Sequence, residues 1–264
     1  MVRKYTYGPF QSRRLGLSLG VNLLPNYKLC TFNCVYCEIG STDKLVSPEY
    51  KFKNPPSPLF RKELNDILKF VPHLNSITFG YMGEPTLNES LLDFYQIARD
   101  VRETRDWINE RPILTLFTNS STLYREDIRE KVRKFDLVLA KLDAATEDDF
   151  LRANSPHDET PSIKVIIDSL VKLKKEMPAN HKLAIQCLIF NSYRNDFLPN
   201  NNEKNITELA RAIAKIGPDS VQVYSIARIP AEYHVYAIDE QRKLEIVDIF
   251  KRIINRNDIE IAFY

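Results

Sequence analysis

The residues best suited to chemistry lie together near the N-terminus. Cys30-Thr31-Phe32-Asn33-Cys34-Val35-Tyr36-Cys37 places three of the chain's four cysteines in a C-x3-C-x2-C spacing. Thiolates are soft, charge-donating ligands that suit iron–sulfur clusters and zinc. Three close thiolates satisfy three irons of a cubane and leave the fourth iron open, much as a catalytic zinc site keeps one position free. A structural zinc site normally closes with four ligands. Here His73, His157, His181 and His234 are scattered, and no nearby C-x2-H or second C-x2-C completes the set. An iron–sulfur cluster is the first reading, ahead of zinc and of chance clustering of inert thiols. Cys187 sits alone in an apolar run and reads as a small hydrophobe with no cluster role.

Other polar residues close the β-rich runs downstream. Phe79-Gly80-Tyr81-Met82-Gly83-Glu84-Pro85 ends one of them, and two of the chain's seven glycines in so short a stretch mark a tight turn or a close approach to a ligand. Phe117-Thr118-Asn119-Ser120 ends the next, and Lys141-Leu142-Asp143-Ala144 the one after. A lysine pairs with carboxylates and an aspartate accepts bonds from hydroxyls. Either can instead cap the segment 146–150 or form a surface ion pair. Gln186 lies on the fifth run, where strand register decides whether it points inward.

Positioning such residues at strand ends requires strand–helix alternation, and the pattern supplies it. β-rich runs at 76–80, 113–117, 137–140, 183–189 and 220–224 alternate with helix-patterned stretches at 59–70, 88–105, 123–133, 161–175, 203–216 and 239–255. In the last stretch Ile246, Ile249, Phe250 and Ile253 follow helical spacing, and Asp239 stands where an N-cap belongs, with Glu240 in the first turn. A further strand near Leu19 to Leu24, closed by Pro25, puts the cysteines on the loop after the first strand. Asn54-Pro55-Pro56-Ser57-Pro58 and Pro199-Asn200-Asn201-Asn202 read as loops too short to link domains, so residues 1–264 are read as one domain. The alternation predicts an α/β fold with a parallel sheet. A closed eight-unit barrel takes about 250 residues. About six units suit an open, partial (β/α)6 TIM-type barrel, whose chemistry sits at the carboxyl ends of its strands.

Composition is ordinary for a globular protein. Apolar residues make up 44% of the chain, and charged residues nearly cancel to a formal +2. That balance neither demands nor excludes a nucleic-acid partner. No apolar run reaches the roughly 18 residues a membrane span needs. The N-terminal stretch Met1-Val2-Arg3-Lys4-Tyr5-Thr6-Tyr7-Gly8 has a basic pair but no apolar h-region. The expectation is a cytoplasmic protein with no membrane partner, in a compartment that keeps thiols reduced.

In these motifs the sequence resembles the radical S-adenosylmethionine (SAM) superfamily, whose cluster loop is C-x3-C-x-aromatic-C, with Tyr36 as the aromatic here. The resemblance implies that Cys30, Cys34 and Cys37 hold a 4Fe–4S cluster whose fourth iron is chelated by the methionine part of SAM. One electron, from a reductant protein of the flavodoxin or ferredoxin type, then cleaves SAM, and the 5′-deoxyadenosyl radical abstracts a substrate hydrogen. Met82-Gly83-Glu84-Pro85 resembles the family's G-G-E-P motif, with Met82 replacing the first glycine, so Gly83, Glu84 and Pro85 are implied SAM contacts. Thr118-Asn119-Ser120 resembles its T-N-G segment. Tyr36, Asn119, Lys141, Asp143 and Gln186 complete the expected cofactor set.

With residues 7–20, Gly83-Glu84-Pro85-Thr86-Leu87 and Lys141-Leu142-Asp143-Ala144, the resemblance extends to the wyosine-synthetase-like branch, through residues 7–190. That branch's namesake builds a tricyclic base on a tRNA guanosine with the help of a second cluster, for which this chain lacks the cysteines. Two substrate classes remain. One is a tRNA or other RNA base, with Arg3, Lys4, Arg13, Arg14 and Arg228 at phosphates and Tyr5, Tyr7 and Tyr233 stacking. The other is a peptide or protein, as for peptide maturases and glycyl-radical activases. A non-catalytic iron–sulfur or zinc protein is the remaining reading, and the Gly-Glu-Pro, Asn119 and Asp143 set argues against it.

Overall fold

The computed structural model describes residues 3–71 and 73–264, so Met1 and Val2 of the N-terminal reading lie outside the described residues. The chain opens with a hairpin, β1 (Thr6–Ser12) and β2 (Gly16–Val21), followed by the short β3 (Leu29–Cys30) and β4 (Lys44–Leu45). The alternation then runs α1 (Pro58–Leu68), β5 (Ser76–Phe79), α2 (Leu91–Glu103), β6 (Ile113–Thr118), α3 (Glu126–Val132), β7 (Leu137–Lys141), α4 (Glu147–Asn154), α5 (Ile163–Glu176) and β8 (Lys182–Leu188). It ends with β9 (Phe190–Ser192), α6 (Glu203–Ile216), β10 (Ser220–Tyr224), β11 (Val235–Ala237), α7 (Glu240–Ile254) and β12 (Glu260–Phe263).

The main sheet has eight strands in the order β1-β2-β5-β6-β7-β8-β10-β12. Every neighbouring pair is parallel except β1 with β2. The order keeps to the chain without reversal, so the crossovers all wind one way, as in a barrel rather than a doubly wound sheet. Side-chain alternation confirms this winding. Leu19 and Val21, Ile77 and Phe79, Leu114 and Leu116, Val138 and Ala140, Ile185 and Cys187, and Val221 and Val223 share one buried cluster with Phe60, Phe94, Leu170, Leu209 and Phe250 of the helices. One face of the sheet thus carries all the crossover helices, and the alternate residues line the other, inner face.

That inner face is polar at its base. Ser18, Thr78, Ser76 and Thr115 form a buried chain of hydroxyls bonded at 2.7–2.8 Å. Thr78 and Ser76, in the middle of the chain, can each give one bond and accept another. The partial barrel expected from the sequence is therefore present, with two additions. The strand placed near Leu19 to Leu24 begins earlier, at Gly16, and β1 and β12 extend the sheet at its edges. β1 hides from period-2 reading because a register shift between Tyr7 and Phe10 breaks the alternation. Capping obeys local chemistry as expected: Asp239 accepts from the Arg242 amide and starts α7. Among the described residues no helix is long and apolar enough to cross a membrane.

Candidate active site

The cysteine loop begins where β3 is pinned by the Gly-Glu-Pro turn. The Leu29 amide donates to the Met82 carbonyl at 2.9 Å, and the Glu84 amide donates to the Leu29 carbonyl at 3.0 Å. Gly83, between these two bonds, holds φ +127°, where a β-carbon would lie 1.7 Å from the Leu29 oxygen. Only glycine allows both that backbone angle and that approach. The far side of the loop is tied to the end of α4 and to the segment just past it. Val35 donates to Ala153, Asn33 to Ser155, and His157 to Thr31. The ribbon of β9 and β11 covers it, with Val35 and Tyr36 packed against Phe190 and Val235.

All three thiols of the loop are free. Cys30 is buried, while Cys34 and Cys37 are partly exposed. Burial pushes the Cys30 thiol up to about 12, with Cys34 adding to the effect. Burial likewise raises Cys34 to about 11, with Cys37 contributing. Such thiols stay protonated until a strong local positive charge ionises them, and a bound metal centre is such a charge. A cubane places its three thiolates on three different irons, one per cysteine. Two amide N–H groups already face the sulfurs: Asn119 Nδ2 lies 3.5 Å from Cys30 Sγ, and Asn154 Nδ2 lies 3.4 Å from Cys34 Sγ. Donors of this kind stabilise thiolate ligands. Three thiolates with two N–H donors beside them are a donor set that fits the three protein-held irons of a cubane.

Glu84 and Asn119 join the ends of β5 and β6 to the cysteine loop. The buried Glu84 carboxylate accepts from the Thr86 amide and hydroxyl, from the Thr118 hydroxyl at 2.9 Å, and from the Asn119 amide at 2.6 Å. Burial nevertheless raises its pKa above the usual carboxylate value. Asn119 Nδ2 also donates to the Thr31 hydroxyl at 2.8 Å, next to Cys30. Ser120, where the resemblance calls for glycine, adopts φ +71° and holds it by donating its hydroxyl to the Lys141 carbonyl. Pro85 is buried and opens a single 3-10 turn.

Asp143 is the hub of the opposite wall. One carboxylate oxygen accepts from the Leu188 amide at 2.7 Å and pairs with Lys141 Nζ at 3.2 Å. The other accepts from the Tyr36 hydroxyl and from Asn154 Nδ2. Asp143 is only 2% exposed, and all its acceptor directions are engaged within the protein. Neither it nor Lys141 caps the segment 146–150; the Thr146 side chain caps α4 itself. Nor is the pair on the surface. Burial works against the Lys141 ammonium, but Asp143 and then Tyr224 raise its pKa above the ordinary lysine value. Lys141 also bonds the Tyr224 hydroxyl at 2.7 Å and lies 4.9 Å from the Tyr36 ring centre.

Register settles Gln186. It pairs across the sheet with Lys141 on one side and Gln222 on the other, so all three project from the inner face. Its amide donates to Gln222 Oε1 at 2.8 Å. Cys187, one residue on, faces the helices and is fully buried. A small cavity opens beside this group, lined by Phe32, Cys34, Tyr36, Asn119, Lys141 and Asp143 among others. The fold thus gathers Tyr36, Asn119, Lys141 and Asp143 around the cysteine loop, with Gly83–Pro85 beneath it and Gln186 next to Lys141. Sequence reading missed Asn154, Gln222 and Tyr224. For Tyr224 and Gln222 the signal was available, since they end a strand as Lys141 does. For Asn154, the last residue of a helix, there was none. Tyr5 is a correction: it is buried against Phe60 and Phe94 and has no face to offer a base.

Comparison with known proteins places the chain in a family. The family model described as the Radical SAM superfamily matches residues 27–213. The UPF0026 protein MJ1312 of Methanocaldococcus jannaschii is 30% identical over 258 residues, covering 97% of this chain and 74% of the relative. Among solved structures, one of TYW1 with a lysine-pyruvate adduct bound superposes at TM-score 0.57 with 15% identity, covering 89% of this chain and 73% of that one. Streptococcus suis SuiB bound to precursor peptide SuiA superposes at TM-score 0.60 with 13% identity, covering 92% of this chain and 48% of that one. These likenesses show a shared fold, and the matched family is one of enzymes that pair a 4Fe–4S cluster with SAM. With the family model matching residues 27–213, the chain belongs to the radical SAM superfamily.

Proposed function

We propose that Cys30, Cys34 and Cys37 hold one 4Fe–4S cluster, that SAM seats between it and the strand ends, and that the enzyme abstracts a hydrogen atom from an RNA base. The observation that carries the cluster assignment is the set of three free thiols at the carboxyl ends of the strands, two of them faced by amide N–H groups. When bound, the cluster and SAM would supply the radical that abstracts hydrogen, on one electron from a flavodoxin- or ferredoxin-type protein. The rest is the work of this chain. Gly83 lets the turn close on Leu29 and fixes where the loop starts. Asn119 and Asn154 orient and stabilise the sulfurs. Asp143, Tyr36 and Lys141 hold the loop rigid from the opposite wall. Pro85, Gln186 and the inner-face polar groups complete the cofactor's surroundings.

The RNA reading is supported by an aromatic stack beside the Gly-Glu-Pro turn. Tyr7 lies between Phe10 and Tyr81, with ring centres 5.9 and 4.6 Å away, and the outer two rings are about half exposed. The half-exposed faces of Phe10 and Tyr81 are ring surfaces on which an unstacked base could lie, as in single-stranded recognition. Anaerobic reconstitution should yield about four irons per chain, and reductant with SAM should give 5′-deoxyadenosine. A zinc-loaded protein with no such product would sink the assignment. Binding to tRNA should weaken steeply with salt; a co-purifying peptide and salt-independent RNA affinity would move the substrate to the peptide class.

A further inference from the structure

The β1–β2 turn carries two adjacent arginines with different surroundings. Arg13 is exposed, whereas Arg14 is half-buried and its guanidinium carbon stands 4.5 Å from the centre of the Tyr224 ring. The other cation on that ring is Lys141, whose Nζ is 5.0 Å from the same centre. Lys141 is neutralised by Asp143 at 3.2 Å. Arg14 has no such partner: among the described residues it enters no ion pair, and its Nη1 is buried without a hydrogen bond. A ring face attracts a cation by about 0.5–2 kcal/mol but accepts none of the in-plane N–H bonds a guanidinium offers. A buried, unpaired donor on a charged group is costly and calls for an acceptor. Tyr224 links Arg14 to the inner face: Lys141 bonds its hydroxyl, pairs in register with Gln186, and reaches the Tyr36 ring of the cysteine loop.

We infer that Arg14 is a substrate-binding residue whose guanidinium receives an oxyanion, a carboxylate or phosphate, of the molecule that gives up its hydrogen. The planar N–H fork suits either group in a two-point contact. Tyr224 orients the guanidinium from one face and shares its ring with Lys141, which places the anion within a few side chains of Cys34. This assignment deepens the proposed function and rests on it only in calling the anion part of the substrate.

The test uses the full reconstituted chain and reads thermal unfolding with acetate, inorganic phosphate, neutral acetamide and chloride at matched ionic strength. Acetate or phosphate should raise the midpoint above the chloride control while acetamide does not, and the stronger of the two identifies the class of oxyanion. Arg14→Gln should weaken that apparent affinity by about tenfold or more, the loss expected of a charge-assisted bond, whereas Arg13→Gln should retain it. Should Arg14→Gln fold poorly, the Nε–H signal of Arg14, assigned with Arg14→Lys, should shift on titration with the active anion. Equal responses to all four additives, an unmoved Arg14 signal, or an undiminished response in Arg14→Gln overturns the inference. Competition between SAM and the anion would overturn it too, by giving Arg14 to the cofactor's carboxylate. The readout needs no turnover, so a protein that binds the anion but makes no 5′-deoxyadenosine would reject the radical reading alone.

Discussion

A β-carbon on Gly83 would meet the Leu29 carbonyl oxygen at 1.7 Å, so the Gly-Glu-Pro turn and the residue preceding Cys30 are packed backbone to backbone. Gly83→Ala must therefore either push β3 away or abandon φ +127°. Strain of this kind costs about 1–3 kcal/mol per residue before the clash is counted. We expect a loss of at least about 3 kcal/mol in urea unfolding and a fall in iron bound on reconstitution, since the loop would no longer start in the same place. Unchanged stability and full iron loading would show that the contact is dispensable.

The Asn154 amide serves Cys34, Tyr36 and Asp143 at once. Asn154→Ala removes an N–H donor from a sulfur and leaves the Tyr36–Asp143 pair less well supported. With a cluster in place, its reduction potential should fall, because hydrogen bonds to the sulfurs favour the reduced, more negative state. Stability should drop by about 1–2 kcal/mol. Redox titration by electron paramagnetic resonance would check the first, and an unchanged potential would remove Asn154 from the cluster's surroundings.

Lys141 and Asp143 form a pair in which the carboxylate is far more deeply buried than the ammonium. Lys141→Met should cost about 3 kcal/mol, because it leaves a buried charge without its cation. Asp143→Asn should be costly alone, yet the double variant should be less destabilised than the sum of the two singles. A double-mutant cycle in urea gives the coupling directly. Additive effects would mean that Tyr36, Asn154 and the Leu188 amide suffice for Asp143.

Glu84 gives a pH signature of its own. Its folded-state pKa is raised by burial, so between the ordinary glutamate value and the raised one the folded chain binds more protons than the unfolded. Stability from this group is therefore fully present at the acid end of that window and lost as pH rises through it. Glu84→Gln should flatten that part of the profile. It should also lower stability by about 1–3 kcal/mol, because one of its amide edges would face the Thr86 or Asn119 N–H that the carboxylate now accepts. Urea midpoints from about pH 4 to about pH 7 on the metal-free chain would measure both; a parallel profile for the two proteins would contradict the assignment.

Cys187 provides the contrast with the loop cysteines. It faces the helices in the apolar core, and burial raises its thiol pKa well above the ordinary value. Cys187→Ala should cost about 1 kcal/mol for the lost packing and keep both iron content and 5′-deoxyadenosine formation. Cys34→Ala should lose both.

Much of this was written in local patterns. Spacing alone makes Cys30, Cys34 and Cys37 a cluster motif, because ligand chemistry depends on residue type and short loop length. Periodicity alone places β5 to β8, β10 and most crossover helices within a few residues, because burying one face imposes it on the chain, but it gave no sign of β1, α4 or β12. Tertiary structure decided what pairs with what. Asn154 reaches Cys34 across 120 positions of sequence, and Arg14 reaches Tyr224 across the barrel, contacts that no local rule encodes. It also changed roles. Tyr5 became core packing, and the fold supplied partners for Asp143 that the sequence could not name: Tyr36, Lys141, Asn154 and the Leu188 amide. The physical reason is that a buried polar group must be satisfied by whatever the fold brings near it, and only the folded chain determines those neighbours.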